Sequence, residues 1–184
     1  AKNHSVKISI SDTDSGISGT PTIKYGWSTS NTSEPSSYTQ ASGTSITATG
    51  NNSMTGEYYL WVVHVNAKDV AGNSVVTKVS SGVFKFDNTA PTAGTMTMKL
   101  GSASGGNYTN DSWTNQSVYI AVNNGSDAHS GHKSTTYTVK KNGSVAYSNK
   151  TDPVTLNPGD GQEATYEITI TTTDNTTDTA NIAT

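Results

Sequence analysis

A pattern of short runs, in which every second residue is apolar, occurs twice in the same order along the chain. Residues 5–10 and 116–122 each place three apolar side chains on one face of a predicted strand. The three are Val6, Ile8 and Ile10 in the first run, and Val118, Ile120 and Val122 in the second. Because the period is two residues and the order repeats, the sequence predicts two copies of one β unit.

Further matching segments follow each of these first strands. Polar turns at residues 12–16 and 127–131 come next, and both contain an Asp and end in Ser-Gly. Tyr25 then matches Tyr137, which we expect to fill equivalent places in the two cores. Each copy closes with a long apolar run that ends in Asp69 or Asp174.

The second copy indicates which side chains of the long run face the core. Residues 166–171 alternate strictly between apolar and polar, so Tyr166, Ile168 and Ile170 share one face. The matching residues of the first copy are Trp61, Val63 and Val65, which we therefore expect to point inward. Tyr58, Leu60 and Val62 should point outward unless a β-bulge changes the register.

Composition excludes several classes of protein. Hydrophobic residues make up 31% of the 184 residues and mean hydropathy is −0.53, which suits thin β-sandwiches better than a helical enzyme. Only 14% of residues are charged, so charge repulsion gives little support to a disordered chain. The 11 basic residues are dispersed Lys, which predicts no nucleic-acid surface. No apolar run approaches the roughly 20 residues of a membrane span, so we expect no membrane insertion.

We expect no catalytic activity. Nucleophilic catalysis needs a nucleophile beside an oriented base, and no Ser stands in a Gly-x-Ser-x-Gly elbow before a helical pattern.

Three segments resemble a known family. They are KDVAGN at residues 68–73, FKFDNTAP at residues 84–91 and WTN at residues 113–115. Together they are similar to the tandem immunoglobulin-like (Ig-like) repeats of bacterial surface adhesins and secreted multidomain enzymes. The resemblance implies an all-β fold of two tandem Ig-like β-sandwich domains, residues 1–90 and 91–184.

The resemblance also implies a place and a role. We expect the chain to lie at the bacterial cell surface or outside the cell, within a larger protein, with neighbouring Ig-like domains as its partners. Its predicted function is that of a non-catalytic spacer, as in the stalk of an adhesin. The alternative is a module that recognises a host protein or a glycan, which includes an accessory domain of a carbohydrate-active enzyme.

Calcium is the cofactor to consider. In a sandwich of this type, the loops after the second and sixth strands lie at the same end as the incoming linker. For the second domain these pieces contain Asp127, Asp174 and the pair Asp87-Asn88, whose segment partly resembles the calcium-bound linkers of cadherins. In the first domain Asp12, Asp14 and Asp69 would meet at the free end. We favour the simpler interpretation, in which these Asp and Asn side chains cap turns.

Two aromatic residues are candidates for stacking on a sugar ring. The chain has 3 Trp and 9 Tyr, and the register assigns Trp27, Trp61 and Tyr137 to the cores. Trp113, beside Asn110-Asp111, and the outward Tyr58 remain as candidate ligand-binding residues.

Overall fold

A computed structural model describes residues 4–176 and 181–183, and β-strands are the regular structure within them. All paired strands run antiparallel. The expected all-β class is confirmed. In these two ranges no helix is long and apolar enough to cross a membrane. The chain divides into two compact units, one containing residues 4–88 and the other residues 89–176 and 181–183.

The first unit contains a two-stranded sheet and a five-stranded sheet. Strand β1 pairs with β4 in the smaller sheet, and the larger sheet has the order β3-β2-β5, with β6 and β7 both pairing with β5. The strands are β1 (Ser5–Ser9), β2 (Ile17–Ser28), β3 (Thr39–Ser42), β4 (Ser45–Thr49), β5 (Gly56–Asp69), β6 (Ser74–Val75) and β7 (Val79–Phe86).

The second unit contains a three-stranded sheet of order β12-β9-β8 and a four-stranded sheet of order β11-β10-β13-β14. The strands are β8 (Thr95–Leu100), β9 (Val118–Asn123), β10 (His132–Lys141), β11 (Ser144–Lys150), β12 (Val154–Leu156), β13 (Tyr166–Asp174) and β14 (Ile182–Ala183).

Each unit is β-sandwich-like, because its core draws side chains from both of its sheets. In the first unit Ile46 of the small sheet packs with Ile23 and Val65 of the large one. In the second, Ile120 of one sheet packs with Val139 of the other. Side chains alternate between the two faces of a strand, so each sheet buries one face in this way.

The two units share a pattern of strand pairing. In the first unit β1 pairs with β4, and β2 lies between β3 and β5. In the second, β9 pairs with β12, and β10 lies between β11 and β13. The pairing differs where the copies differ in sequence: β8 precedes the shared strands of the second unit, and β7 follows those of the first.

The equivalence of Tyr25 with Tyr137 is wrong. Strand β2 pairs Ile23 with Val65, which lies four residues before Asp69. Strand β10 pairs Tyr137 with Ile170, which lies four residues before Asp174. Ile23 therefore takes the place that Tyr137 has in the second unit, and Tyr25 lies further along β2.

A β-bulge changes the inward face of β5. Lys24 pairs with His64 and Tyr25 pairs with Val62, so Val63 falls between two paired positions. Val65 faces the core as expected, but beyond the bulge Val62 packs against the core instead of Val63.

Trp61 is also buried, but on the other face of β5. Its indole nitrogen donates to the carbonyl of Ser30 at 3.0 Å, and the Lys78 ammonium lies 5.9 Å from its ring centre. The prediction of a core-facing Trp61 is wrong because the extra residue of the bulge, Val63, reverses the alternation of inward and outward side chains.

Aromatic rings fill one end of the first core. Phe86 is 2% exposed, and its ring lies edge-on to Trp27 at 5.2 Å and to Tyr58 at 5.7 Å between ring centres. Edge-to-face contacts at this distance are favourable beyond the area they bury. The buried Gly50 leaves room for the Phe86 ring, because a Cβ atom at this position would overlap it.

We expect Gly50→Ala to lower the free energy of unfolding of the first unit by about 1–3 kcal/mol, because the added methyl group overpacks the ring cluster. Gly82→Ala is the matched control, since no described atom lies within 4 Å of a Cβ there. It should change stability by less than about 0.5 kcal/mol. Urea denaturation followed by Trp fluorescence measures both, and equal stabilities would contradict the packing described.

Candidate functional site

A buried carboxylate lies at the end of β13. The Asp174 side chain is completely buried, and its Oδ1 accepts hydrogen bonds from the Thr176 amide at 3.1 Å, the Thr176 hydroxyl at 2.7 Å and the Asn181 amide at 2.9 Å. Its Oδ2 accepts from the side-chain amide of Asn181 at 2.6 Å. These donors compensate for the loss of water around the charge and tie the end of β13 to the start of β14.

The same contacts keep Asp174 ionised. Burial is the largest single influence on its pKa and acts to raise it. The hydrogen bonds from Thr176 and Asn181 together outweigh burial, so the pKa of Asp174 is lowered from its ordinary value. A full negative charge is therefore buried here at neutral pH.

Asp127 brings a second carboxylate to this place from the loop between β9 and β10. Its Oδ1 accepts from the backbone amides of His129 at 3.0 Å and Gly131 at 2.8 Å. A carboxylate oxygen of Asp127 lies within 4.8 Å of one on Asp174. Two carboxylates at this separation repel each other, and a hard divalent cation such as Ca²⁺ takes oxygen ligands of this kind.

The Asp127 turn has a counterpart in the first unit. Asp12 Oδ1 accepts from the backbone amides of Asp14 at 3.1 Å, Ser15 at 2.8 Å and Gly16 at 2.8 Å. Gly16 has φ +78° and Gly131 has φ +84°, in the left-handed region that Gly adopts at least cost. The Asp…Ser-Gly pattern thus has a local cause, which is that the Asp side chain caps a turn closed by Gly.

Asp69 also caps its own turn. Its Oδ1 accepts from the Asn73 amide and its Oδ2 from the Asn73 side chain, both at 2.7 Å. The bond from the Asn73 side chain has the largest effect on the pKa of Asp69 and lowers it, and the bond from the Asn73 amide lowers it further. Within the described ranges, Asp12, Asp14 and Asp69 do not form a group of three carboxylates at ligand spacing.

Asp87 and Asn88 end the first unit. Asp87 is 2% exposed, and Asn88 donates from its side chain to the Met54 carbonyl at 2.7 Å and from its amide to the Thr55 hydroxyl at 3.2 Å. These bonds hold the last residues of the unit against the loop before β5.

The two predicted ligand-binding aromatics have different surroundings. Tyr58 was expected to point outward, but the bulge turns it inward, and its half-buried ring packs on Phe86. Trp113 is 88% exposed and lines a groove in the second unit with a volume of about 340 Å³.

Sequence reasoning missed several residues around these features. Thr176 and Asn181 hold Asp174, and Gln116, Gln162 and Glu163 line the groove beside Trp113. The role of Thr176 could have been found in the sequence, because the polar pair Asn175-Thr176 follows an Asp that ends a strand, which is a turn signal. No local pattern links Gln116 with Gln162, because the fold alone brings their loops together.

Comparison with known proteins adds no relative: no family model, no curated protein and no solved structure matches this chain.

Because the pKa of Asp174 is lowered in the folded state, the free energy of unfolding of the second unit depends on pH in the acidic range. Its stabilising charge is fully present above the unfolded pKa of about 3.9 and is lost as the pH falls through the lower folded pKa. We expect the free energy of unfolding to fall below about pH 4. Denaturant titrations at a series of pH values measure this change.

Asp174→Asn should flatten this acid dependence and cost about 2 kcal/mol or more at neutral pH, because an amide nitrogen then faces hydrogen-bond donors. Asp160→Asn, at an exposed carboxylate of the same unit, is the control and should leave the stability unchanged. An unchanged pH profile in Asp174→Asn would contradict the role given to this charge.

Proposed function

We propose that the chain consists of two Ig-like modules that act as a non-catalytic spacer in a larger bacterial surface or secreted protein. The observation that carries this proposal is the shortness of the connection between two units that each have a core of their own. A spacer has to keep a distal part at a distance, which requires compact units and a connection that limits bending.

Strand order supports the Ig-like assignment. In an Ig-like sandwich strands A, B and E share one sheet, and strands C, F and G share the other. In the second unit β8, β9 and β12 form one sheet, and β10, β13 and β14 form the other, with β11 beside β10. The described residues of the first unit have the same arrangement from β1 onward, without a counterpart of β8.

Both ends of the connection are fastened within their own units. On one side Asn88 bonds to Met54 and Thr55. On the other side the Thr92 amide donates to the Ser126 carbonyl at 2.7 Å, and Pro91 is buried. Only residues 89–91 lie between these fastened positions, and Pro91 fixes its own φ angle. Freedom in the connection is therefore confined to very few dihedral angles.

The long polar loop of the first unit favours the same role. Residues 29–38 form this loop, and hydrogen bonds join it to the sheet beneath it. The Ser30 carbonyl accepts from Trp61, and Glu34 pairs with Lys78 and accepts from the Tyr38 hydroxyl at 2.6 Å. A loop that covers a buried Trp has a packing role.

The extracellular location rests on composition and on the resemblance. The chain has no Cys, is rich in Ser, Thr, Asn and Gly, and carries a net charge of only −3. Neighbouring Ig-like modules of the same polypeptide are the proposed partners.

A distance measurement between the units tests the spacer. Because the chain has no Cys, the exposed Ser37 and Ser148 offer sites for a unique dye pair through Ser37→Cys and Ser148→Cys. We expect single-molecule energy transfer to give a narrow distribution of distances. A flexible Gly-Ser insert after Ala90 should broaden it, because the connection then behaves as a random coil. Equal widths with and without the insert would rule out a stiff connection.

Calcium binding by the second unit is a second candidate, and one observation favours it. Asp127 and Asp174 come from loops far apart in sequence, yet their carboxylate oxygens lie within 4.8 Å, and Asp174 is ionised and buried. The loops after β9 and β13 correspond to the B–C and F–G loops, which share one end of an Ig-like sandwich. Whether Asp87 also takes part stays a prediction from the sequence.

We expect millimolar Ca²⁺ to raise the melting temperature of the second unit, since a ligand that binds only the folded state stabilises it. Asp127→Asn should abolish the rise. Asp160→Asn is the control and should keep it. Scanning calorimetry with Ca²⁺ or Mg²⁺ measures the effect. Equal melting temperatures with and without Ca²⁺ would remove this candidate and leave the spacer proposal intact.

A further inference from the structure

The second unit has a groove at the opposite end from Asp127 and Asp174. Strand β9 begins at Val118, which lines the groove, and runs toward the loop that carries Asp127. The loop between β8 and β9 forms one side of the groove, and the loop between β12 and β13 forms the other. The two ends of this unit therefore carry different chemistry.

An ordered turn holds Trp113 at the mouth of the groove. The Tyr108 hydroxyl donates to the Ser112 carbonyl, and the Ser112 amide donates to the Thr109 carbonyl at 3.2 Å. Asp111, between them, has φ +62°, a conformation that costs energy for a residue with a side chain. On the other side of Trp113 the Gln116 amide donates to the Thr114 hydroxyl at 3.0 Å. Hydrogen bonds therefore flank a Trp whose ring is 88% exposed.

The exposure of Trp113 is unusual for this chain. Trp61 is 6% exposed, and Trp27 is partly buried against Phe84 and Phe86. A large aromatic side chain left in water on a fixed turn presents a flat apolar surface at little entropic cost of binding.

The rim of the groove carries hydrogen-bonding groups that are neutral or acidic. Asn110, Gln116 and Gln162 offer amide donors and acceptors, and Asp111 and Glu163 offer carboxylate acceptors. All five residues are exposed. Among the described residues that line the groove there is no Lys or His, so the site does not suit a phosphate or another anion.

The floor of the groove is apolar and its size suits a small ring. Met98, Leu156 and Tyr166 lie beneath the rim, where the two sheets of the unit separate. A volume of about 340 Å³ is at the lower end of the 300–1,000 Å³ usual for small-molecule sites.

We propose that this groove binds a neutral carbohydrate chain, with Trp113 as the platform on which one pyranose ring stacks. The apolar face of a sugar ring matches an exposed indole, and its hydroxyl groups match a rim of amides and carboxylates that both donate and accept. An anionic membrane is disfavoured by Asp111 and Glu163 beside the Trp. An extended peptide is an outcome that the test below distinguishes.

Affinity electrophoresis tests the proposal with native gels that contain a soluble β-glucan, an α-glucan, a mannan or a xylan, beside a gel without polysaccharide. We expect at least one of these polymers to retard the chain. Trp113→Ala should weaken the apparent affinity about tenfold or more, and Trp113→Phe less, because a smaller ring still stacks. Gln116→Ala should give a smaller loss than Trp113→Ala.

Tyr38→Ala is the control, since Tyr38 is an exposed aromatic of the other unit. It should bind as the unmodified chain does. The second unit should melt at the same temperature in every variant as in the unmodified chain. Absence of retardation in every polysaccharide gel overturns the proposal, and so does equal retardation of the unmodified chain and Trp113→Ala. Binding to a random peptide library that competes with the polysaccharide would assign the groove to peptides and overturn it as well. None of these outcomes bears on the spacer, which does not involve Trp113.

Discussion

Burial of one apolar face of each sheet against the other is the interaction on which both units depend. Ile23 and Val139 are completely buried, and Ile120 is 1% exposed. Full burial of such a side chain contributes about 1.5–3 kcal/mol, more than the roughly 1 kcal/mol net of a hydrogen bond, so the apolar seam dominates stability.

Polar atoms of large side chains strengthen the thin cores by bonding across them. The Tyr25 hydroxyl reaches the Thr47 carbonyl at 3.5 Å, and the Trp27 indole reaches the Thr49 carbonyl at 3.3 Å. In the second unit the Tyr137 hydroxyl donates to the Asp152 carbonyl. Each ring thereby fills the space between the sheets and also satisfies its polar atom, which a buried Tyr or Trp requires. Burial has the largest effect on the pKa of Tyr137 and raises it, and the charge of Asp152 raises it further. The hydroxyl therefore keeps its proton and remains a hydrogen-bond donor.

Aspartates shape the ends of the units, and their role depends on the number and direction of their donors. Asp12 and Asp127 each hold a local turn through backbone amides. Asp174 is different because its donors include Asn181, seven residues further along the chain. A buried charge that joins separate segments is costly to lose, and its approach to Asp127 brings two carboxylates close together at this end of the second unit. The other end carries the exposed Trp113 beside its groove.

The sequence by itself determined the β class, the repetition of the strand order and the turns that Asp and Gly close. These features depend on a two-residue period and on side chains that bond their own backbone, both of which are local. Only the tertiary structure decided the bulge at Val63, which exchanges the inward and outward faces of β5 and moves Tyr58 into the core. It also decided the place of Ile23, the approach of Asp127 to Asp174, and the groove beside Trp113. The physical reason is that register, loop encounters and exposure depend on partners distant in sequence, which no local pattern specifies.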